Sequence, residues 1–149
     1  MQIYINLHTF AFKYTDIIME MKIEHIGIWV DNLEEMRTFY QTYFNLECGE
    51  KYMNIKNGFS SYFLNFGTGH TRLELMNRPD IVNGTVKRGF SKGMAHFAIS
   101  IGGIEAVNLL TEKLRKDGFT IASEPRTTGD GYYESVVLDP EGNYIEIFA

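Results

Sequence analysis

Hydrophobic and polar positions follow two rhythms that take turns along the chain. Residues 22–30 alternate and are rich in β-branched side chains, the pattern of a half-buried strand. Leu33, Met36, Phe39, Tyr40, Tyr43 and Phe44 then recur at helical spacing. Asn32 followed three residues later by Glu35 is a helix-start signal, and Asn45 suits a left-handed stop. Three shorter strands are expected at residues 47–52, 60–66 and 71–76, divided by the turn signals Asn57-Gly58 and Gly67-Thr68-Gly69. After a stretch with no periodicity, containing Pro79, Asn83-Gly84 and Gly89, the same order returns. A strand is expected at 94–101 and a helix at 104–116, with Val107, Leu110 and Leu114 on one face and Gly118 past its end. Strands at 120–123, 132–139 and 143–148 follow, the last two joined as a hairpin by Asp139-Pro140-Glu141-Gly142.

This pattern predicts an α+β chain of two tandem βαβββ modules, residues 21–77 and 93–149, joined by a connector at 78–92. Helices on the outer faces leave a cupped, mixed β-sheet on the inside, which is where a ligand belongs. Residues 1–20 stand outside the repeat as an N-terminal extension. Residues 16–21 are compatible with a helical turn, and Met21, directly before the first motif, marks the extension as dispensable.

Composition narrows the partners. Fourteen basic residues against nineteen acidic give a net charge of −5, which disfavours nucleic acid or an anionic membrane as the main partner. No apolar run approaches the roughly 18 residues of a membrane span, and the first twenty residues lack the plan of a signal peptide. Cys48 is the lone cysteine, so no intrachain disulfide forms and a reducing, cytoplasmic location is expected. It sits between Glu47 and Gly49 without an activating neighbour.

The repeat also duplicates chemistry. Glu74 follows His25 by 49 residues (25 to 74), and Glu146 follows His96 by 50 (96 to 146). Strand parity puts His25 on a face with Gly27 and Trp29, and Glu74 with Arg72 and Met76. It puts His96 with Met94, Ala98 and Ser100, and Glu146 with Tyr144 and Phe148. In each strand the candidate points away from the aliphatic side. Two carboxylates brought together without a cation would repel, whereas a divalent metal resolves the conflict. Imidazole with carboxylate suits Zn, Ni, Fe, Mn or Co.

His-Ile-Gly-Ile at 25–28, Arg-Leu-Glu-Leu at 72–75, His-Phe-Ala-Ile at 96–99 and Leu-Asp-Pro-Glu-Gly-Asn-Tyr-Ile-Glu-Ile at 138–147 resemble the vicinal oxygen chelate superfamily. That superfamily includes glyoxalase I, methylmalonyl-CoA epimerase, extradiol dioxygenases and bleomycin-binding proteins. The resemblance covers residues 21–149 and implies that His25, Glu74, His96 and Glu146 occupy the metal positions of a glyoxalase I, with nickel or cobalt favoured. It further implies a lactoylglutathione-lyase-like activity of the kind used in methylglyoxal detoxification. The reaction would turn the hemithioacetal of a 2-oxoaldehyde and a thiol into a 2-hydroxyacyl thioester, with Glu146 as the base and a homodimer as the assembly. Other metal-dependent members (epimerase or dioxygenase) and non-catalytic small-molecule binders are the alternatives. Glutathione-using members carry an arginine where this chain has Trp29, so Trp29 and Tyr133 are expected to narrow the cup. Arg72 or Arg126 is expected to hold a substrate anion.

Overall fold

The computed structural model describes residues 21–67 and 71–149. The expectations for residues 1–20, and for all but Gly67 of the turn at 67–69, lie outside the described residues. The first module runs β1 (His25–Trp29), α1 (Leu33–Phe44), β2 (Glu47–Cys48), β3 (Tyr52–Asn54), β4 (Phe59–Asn65) and β5 (Arg72–Asn77). The second runs β6 (Phe97–Ser100), α2 (Ile104–Lys116), β7 (Ile121–Thr127), β8 (Tyr133–Leu138) and β9 (Tyr144–Phe148). The sheets are ordered β1-β5-β4-β2, with β3 also on β4, and β6-β9-β8-β7. In each, the first strand of the module pairs in parallel with the last, β1 with β5 and β6 with β9.

Local chemistry sets the element ends. The Asn32 side chain accepts from the Glu35 amide, and Asn45 closes α1 in the left-handed region at φ 53°. The strand expected at 47–52 is divided into β2 and β3, although the Gly49 amide still reaches the Phe63 carbonyl on β4. β7 runs four residues past its expected end, to Thr127, because Pro125 sits on the sheet edge. The register with β8 shifts between Ser123 and Arg126, so its missing N–H costs no ladder bond.

Each sheet lays one face on a helix, and the two helix faces merge into a single core. Leu64, Leu73 and Leu75 from the first sheet and Val137, Ile145 and Ile147 from the second are essentially inaccessible. Each such leucine contributes about 2 kcal/mol of burial. Between the modules, α1 supplies Phe39, tilted against Phe119 at 4.9 Å, and Tyr40, 6.4 Å from Phe97. Cys48 turns toward this core and burial pushes its thiol up, the opposite of an activated cysteine.

The Asp-Pro-Glu-Gly-Asn turn is a clamp between modules. The buried Asp139 carboxylate accepts from the Tyr40 hydroxyl at 2.9 Å and from Asn143 Nδ2 at 2.6 Å. It also accepts from the backbone amides of Glu141 and Asn143, at 3.0 and 2.8 Å. Glu141 reaches across to the start of α1, accepting from the Asp31 and Asn32 amides at 2.8 Å, where negative charge complements the helix dipole. Arg88 of the connector joins it, 3.4 Å from Glu141 and 2.9 Å from the Asn143 side chain.

Two phenols at this junction give the fold an alkaline limit. Burial, reinforced by the bond to Asp117 at 2.7 Å, pushes Tyr43 up to about 12, and burial beside Asp139 drives Tyr40 well above the ordinary tyrosine range. Unfolding frees both to ionise near pH ~10. Their contribution is therefore complete below about pH 10 and is lost as pH rises beyond it. Urea midpoints measured at rising pH should fall more steeply for the wild type than for Tyr43→Phe. Equal slopes would contradict the assignment.

Candidate metal centre

Glycine opens the first half of the site. Gly27 on β1 stands opposite Glu74 on β5. A β-carbon there would come within 2.8 Å of the Met76 methyl and 3.9 Å of Glu74 Oε2. Glu74 lies beside His25, its Oε2 3.8 Å from the imidazole Nε2. Phe63 of β4, in register with Glu74, sets its ring edge-on to His25 at 5.4 Å. The other imidazole nitrogen, Nδ1, is bonded to Glu24, whose second oxygen is bonded to Arg72. These contacts, the His25 bond foremost, hold the Glu24 carboxyl below the ordinary carboxylate range.

The second half repeats the pair but not its setting. Ala98 of β6 and Val136 of β8 flank Glu146 in register. His96 precedes β6 instead of lying within it, in a stretch that begins at Gly93 (φ +132°) and has no ladder partner. A side chain at Gly89 would strike the Ala95 carbonyl at 2.9 Å, so the connector can pass close behind this stretch only as glycine. His96 Nε2 stands 3.2 Å from Glu146 Oε1.

The four expected ligands are therefore brought together two by two, one pair on the open face of each sheet. No three His, Cys, Asp or Glu side chains group into a possible metal site among the described residues of one chain. The pairs nevertheless have the character of ligands. Glu74 and Glu146 are largely covered, at 13 and 19 % exposure, while His25 and His96 are open at 42 and 46 %. Among the described residues neither carboxylate accepts a hydrogen bond, so each faces only an imidazole. A nitrogen and a carboxylate left without other partners, on an open face, is a donor set that a divalent cation satisfies.

The expected substrate contacts sort differently. Trp29 sits on the cup face, edge-on to Phe59 at 6.2 Å, and the Arg78 guanidinium lies 5.5 Å from its ring centre. It lines a cavity of about 360 Å³ between β1, the connector and the His96 segment. Tyr133 is turned the other way: it shares the helix side of β8 with Ser135 and Val137 and donates to Asn108 of α2 at 2.8 Å. Tyr132, one residue earlier, takes the aromatic place beside Phe148 at 5.0 Å. Arg72 is committed to Glu24 and lies over Phe63 at 4.2 Å, and Arg126 is committed to Glu134 at 3.4 Å. Sequence reasoning missed Glu24 and Arg78. An acidic residue directly before a candidate histidine is the signal that points to the first. Nothing in the local pattern singles out the second.

Residues 22–147 match the model of the Glyoxalase/Bleomycin resistance protein/Dioxygenase superfamily. The chain belongs to this superfamily. Its relatives include the mitochondrial methylmalonyl-CoA epimerase of Bos taurus, 28 % identical over 122 residues, covering 80 % of this chain and 67 % of the relative. A probable trivalent organoarsenical cleaving enzyme of Bacillus subtilis is 28 % identical over 134 residues, covering 86 % of this chain and 80 % of that protein. Among solved structures, the trypanothione-dependent glyoxalase I of Leishmania major superposes with a TM-score of 0.69 at 23 % identity, covering 86 % of both chains. That likeness establishes a two-module, glyoxalase-like α+β fold. Relatives named for such different reactions mean that superfamily membership alone does not choose the activity. No helix among the described residues is long and apolar enough to cross a membrane.

Proposed function

We propose that the protein is a cytoplasmic, metal-dependent enzyme of glyoxalase-I type, isomerising the hemithioacetal of a 2-oxoaldehyde and a thiol to a 2-hydroxyacyl thioester. The observation that carries this reading is the pair of unsatisfied half-sites, His25 with Glu74 and His96 with Glu146, one on each open sheet face. Two protein ligands hold a divalent cation weakly, whereas four make a firm site. A two-fold dimer that lays the first sheet of one copy against the second sheet of its partner completes two such sites at once. Nickel or cobalt is favoured, with zinc, iron or manganese as further possibilities.

When bound, the cation supplies Lewis acidity toward the adjacent oxygens of the substrate. His25, Glu74, His96 and, until it acts as the base, Glu146 would hold the cation. Glu146, covered and bonded to no donor among the described residues, takes the proton from the substrate carbon and returns it to the neighbouring one. Trp29 and the cavity beside it receive the thiol portion.

The epimerase relative supports a second reading, epimerisation of an acyl thioester by the same proton transfer. Metal analysis of protein purified without chelator separates these from a plain binding protein. Hemithioacetal turnover should vanish on chelation and return with nickel or cobalt. Turnover absent for several thiols, with acyl-thioester proton exchange present, would select the epimerase. A metal-free protein that gains neither activity on metal addition would contradict both.

A further inference from the structure

The two half-sites are not equally prepared. In the first, His25 Nδ1 bonds one oxygen of Glu24, and the other oxygen bonds Arg72 Nη2. The Arg72 guanidinium lies over the Phe63 ring at 4.2 Å, and that ring meets the His25 imidazole edge-on at 5.4 Å. Glu24, Arg72 and Phe63 thus close a ring of contacts with the imidazole and fix its plane. In the second half-site, His96 has Glu146 on Nε2 and, among the described residues, no hydrogen-bond partner on Nδ1.

We infer that Glu24 and Arg72 are positioning residues: they lock His25 in the Nδ1–H tautomer, leaving a bare Nε2 beside Glu74, so that the first half-site is set before any cation arrives and the second is not. The proton of a neutral imidazole resides where a partner accepts it, and a carboxylate on Nδ1 leaves the Nε2 lone pair outward. The 3.8 Å from that nitrogen to Glu74 Oε2 is too long for a hydrogen bond, as expected of two acceptors facing one another. This assigns Arg72 a role opposite to a substrate clamp: it anchors the residue that orients a ligand. The part concerning cations rests on the proposed metal site; the tautomer does not.

Imidazole nitrogen NMR of chelator-stripped protein, at a pH where the rings are neutral, reads the tautomer directly. His25→Gln and His96→Gln assign the signals. His25 should carry its proton on Nδ1, while His96 should show the aqueous preference for Nε2–H. Glu24→Ala should shift His25 toward Nε2–H without moving the His96 signals, which also reports an intact fold. Glu24→Gln, whose amide oxygen still accepts, should keep most of the Nδ1–H form, and Arg72→Met should lose part of it. Titrated with cobalt(II) alone, Glu24→Ala should bind about tenfold more weakly, and Glu24→Gln should recover most of that loss. A wild-type His25 with the same tautomer mixture as His96, or one indifferent to Glu24→Ala, would overturn the inference. Should cobalt fail to bind while the His25 tautomer is as expected, the metal reading falls and the positioning role stands.

Discussion

Glu146→Gln should lower turnover by about two to four orders of magnitude, the range of a lost general base, while cation affinity falls far less. An amide has the shape of the carboxylate and keeps one oxygen able to ligate, but it cannot take a proton from carbon. The environment should tolerate the change. Glu146 lies between Ala98 and Val136 in the sheet, and its one close polar contact, His96 Nε2 at 3.2 Å, is one the amide oxygen of glutamine can keep. Glu74→Gln is the matched comparison, because Glu74 holds the corresponding place on the other sheet. It should lose affinity and turnover together. Parallel losses of both quantities in Glu146→Gln would reduce that residue to a ligand.

The largest effect on stability should come from Asp139→Ala. The carboxylate is only 4 % exposed and accepts from the Tyr40 hydroxyl, the Asn143 side chain and two backbone amides. Removing it leaves the buried Tyr40 hydroxyl without its acceptor and opens the turn that carries Glu141 to the start of α1. Unsatisfied buried groups cost about 1–3 kcal/mol each, so a total near 3–4 kcal/mol is expected once the exposed end of the turn finds water. Asp139→Asn keeps one oxygen acceptor and should cost about half as much. Urea unfolding curves decide the matter. A loss below about 1 kcal/mol for the alanine variant would mean that the clamp does not join the modules. The same variants should leave the His25 imidazole undisturbed, since none of the groups that donate to Asp139 bonds His25.

Much of this organisation was legible in the residues. The helix limits followed from the Asn32–Glu35 and Asn45 signals, because capping is a local matter of one side chain and one amide. Parity placed His25, Glu74 and Glu146 on the faces away from the aliphatic core, because alternation depends only on the strand. What could not be read depends on neighbours distant in sequence. Tyr133 was expected in the cup, but its face is decided by where β8 begins and by Asn108 on α2. Arg72 was expected to hold a substrate anion, but its carboxylate is Glu24, brought close by the parallel pairing of β1 with β5. The Asp-Pro-Glu-Gly-Asn run was recognised as a family mark and a hairpin turn. Its structural work, joining that hairpin to α1, needed the contacts across more than a hundred residues.

The separation of the ligands into two pairs makes assembly the deciding question. One chain variant would carry His25→Ala and Glu74→Ala, and another His96→Ala and Glu146→Ala, with different affinity tags so that mixed dimers can be isolated after co-expression. Neither variant alone has a complete set of four in any pairing of subunits. In the mixed dimer one of the two sites regains all four ligands and the other loses them all. Metal content per dimer should therefore rise from near nothing in each parent to about half the wild-type value, with turnover following it. A mixed dimer as empty as its parents would place the ligands of any site within one chain and contradict the account.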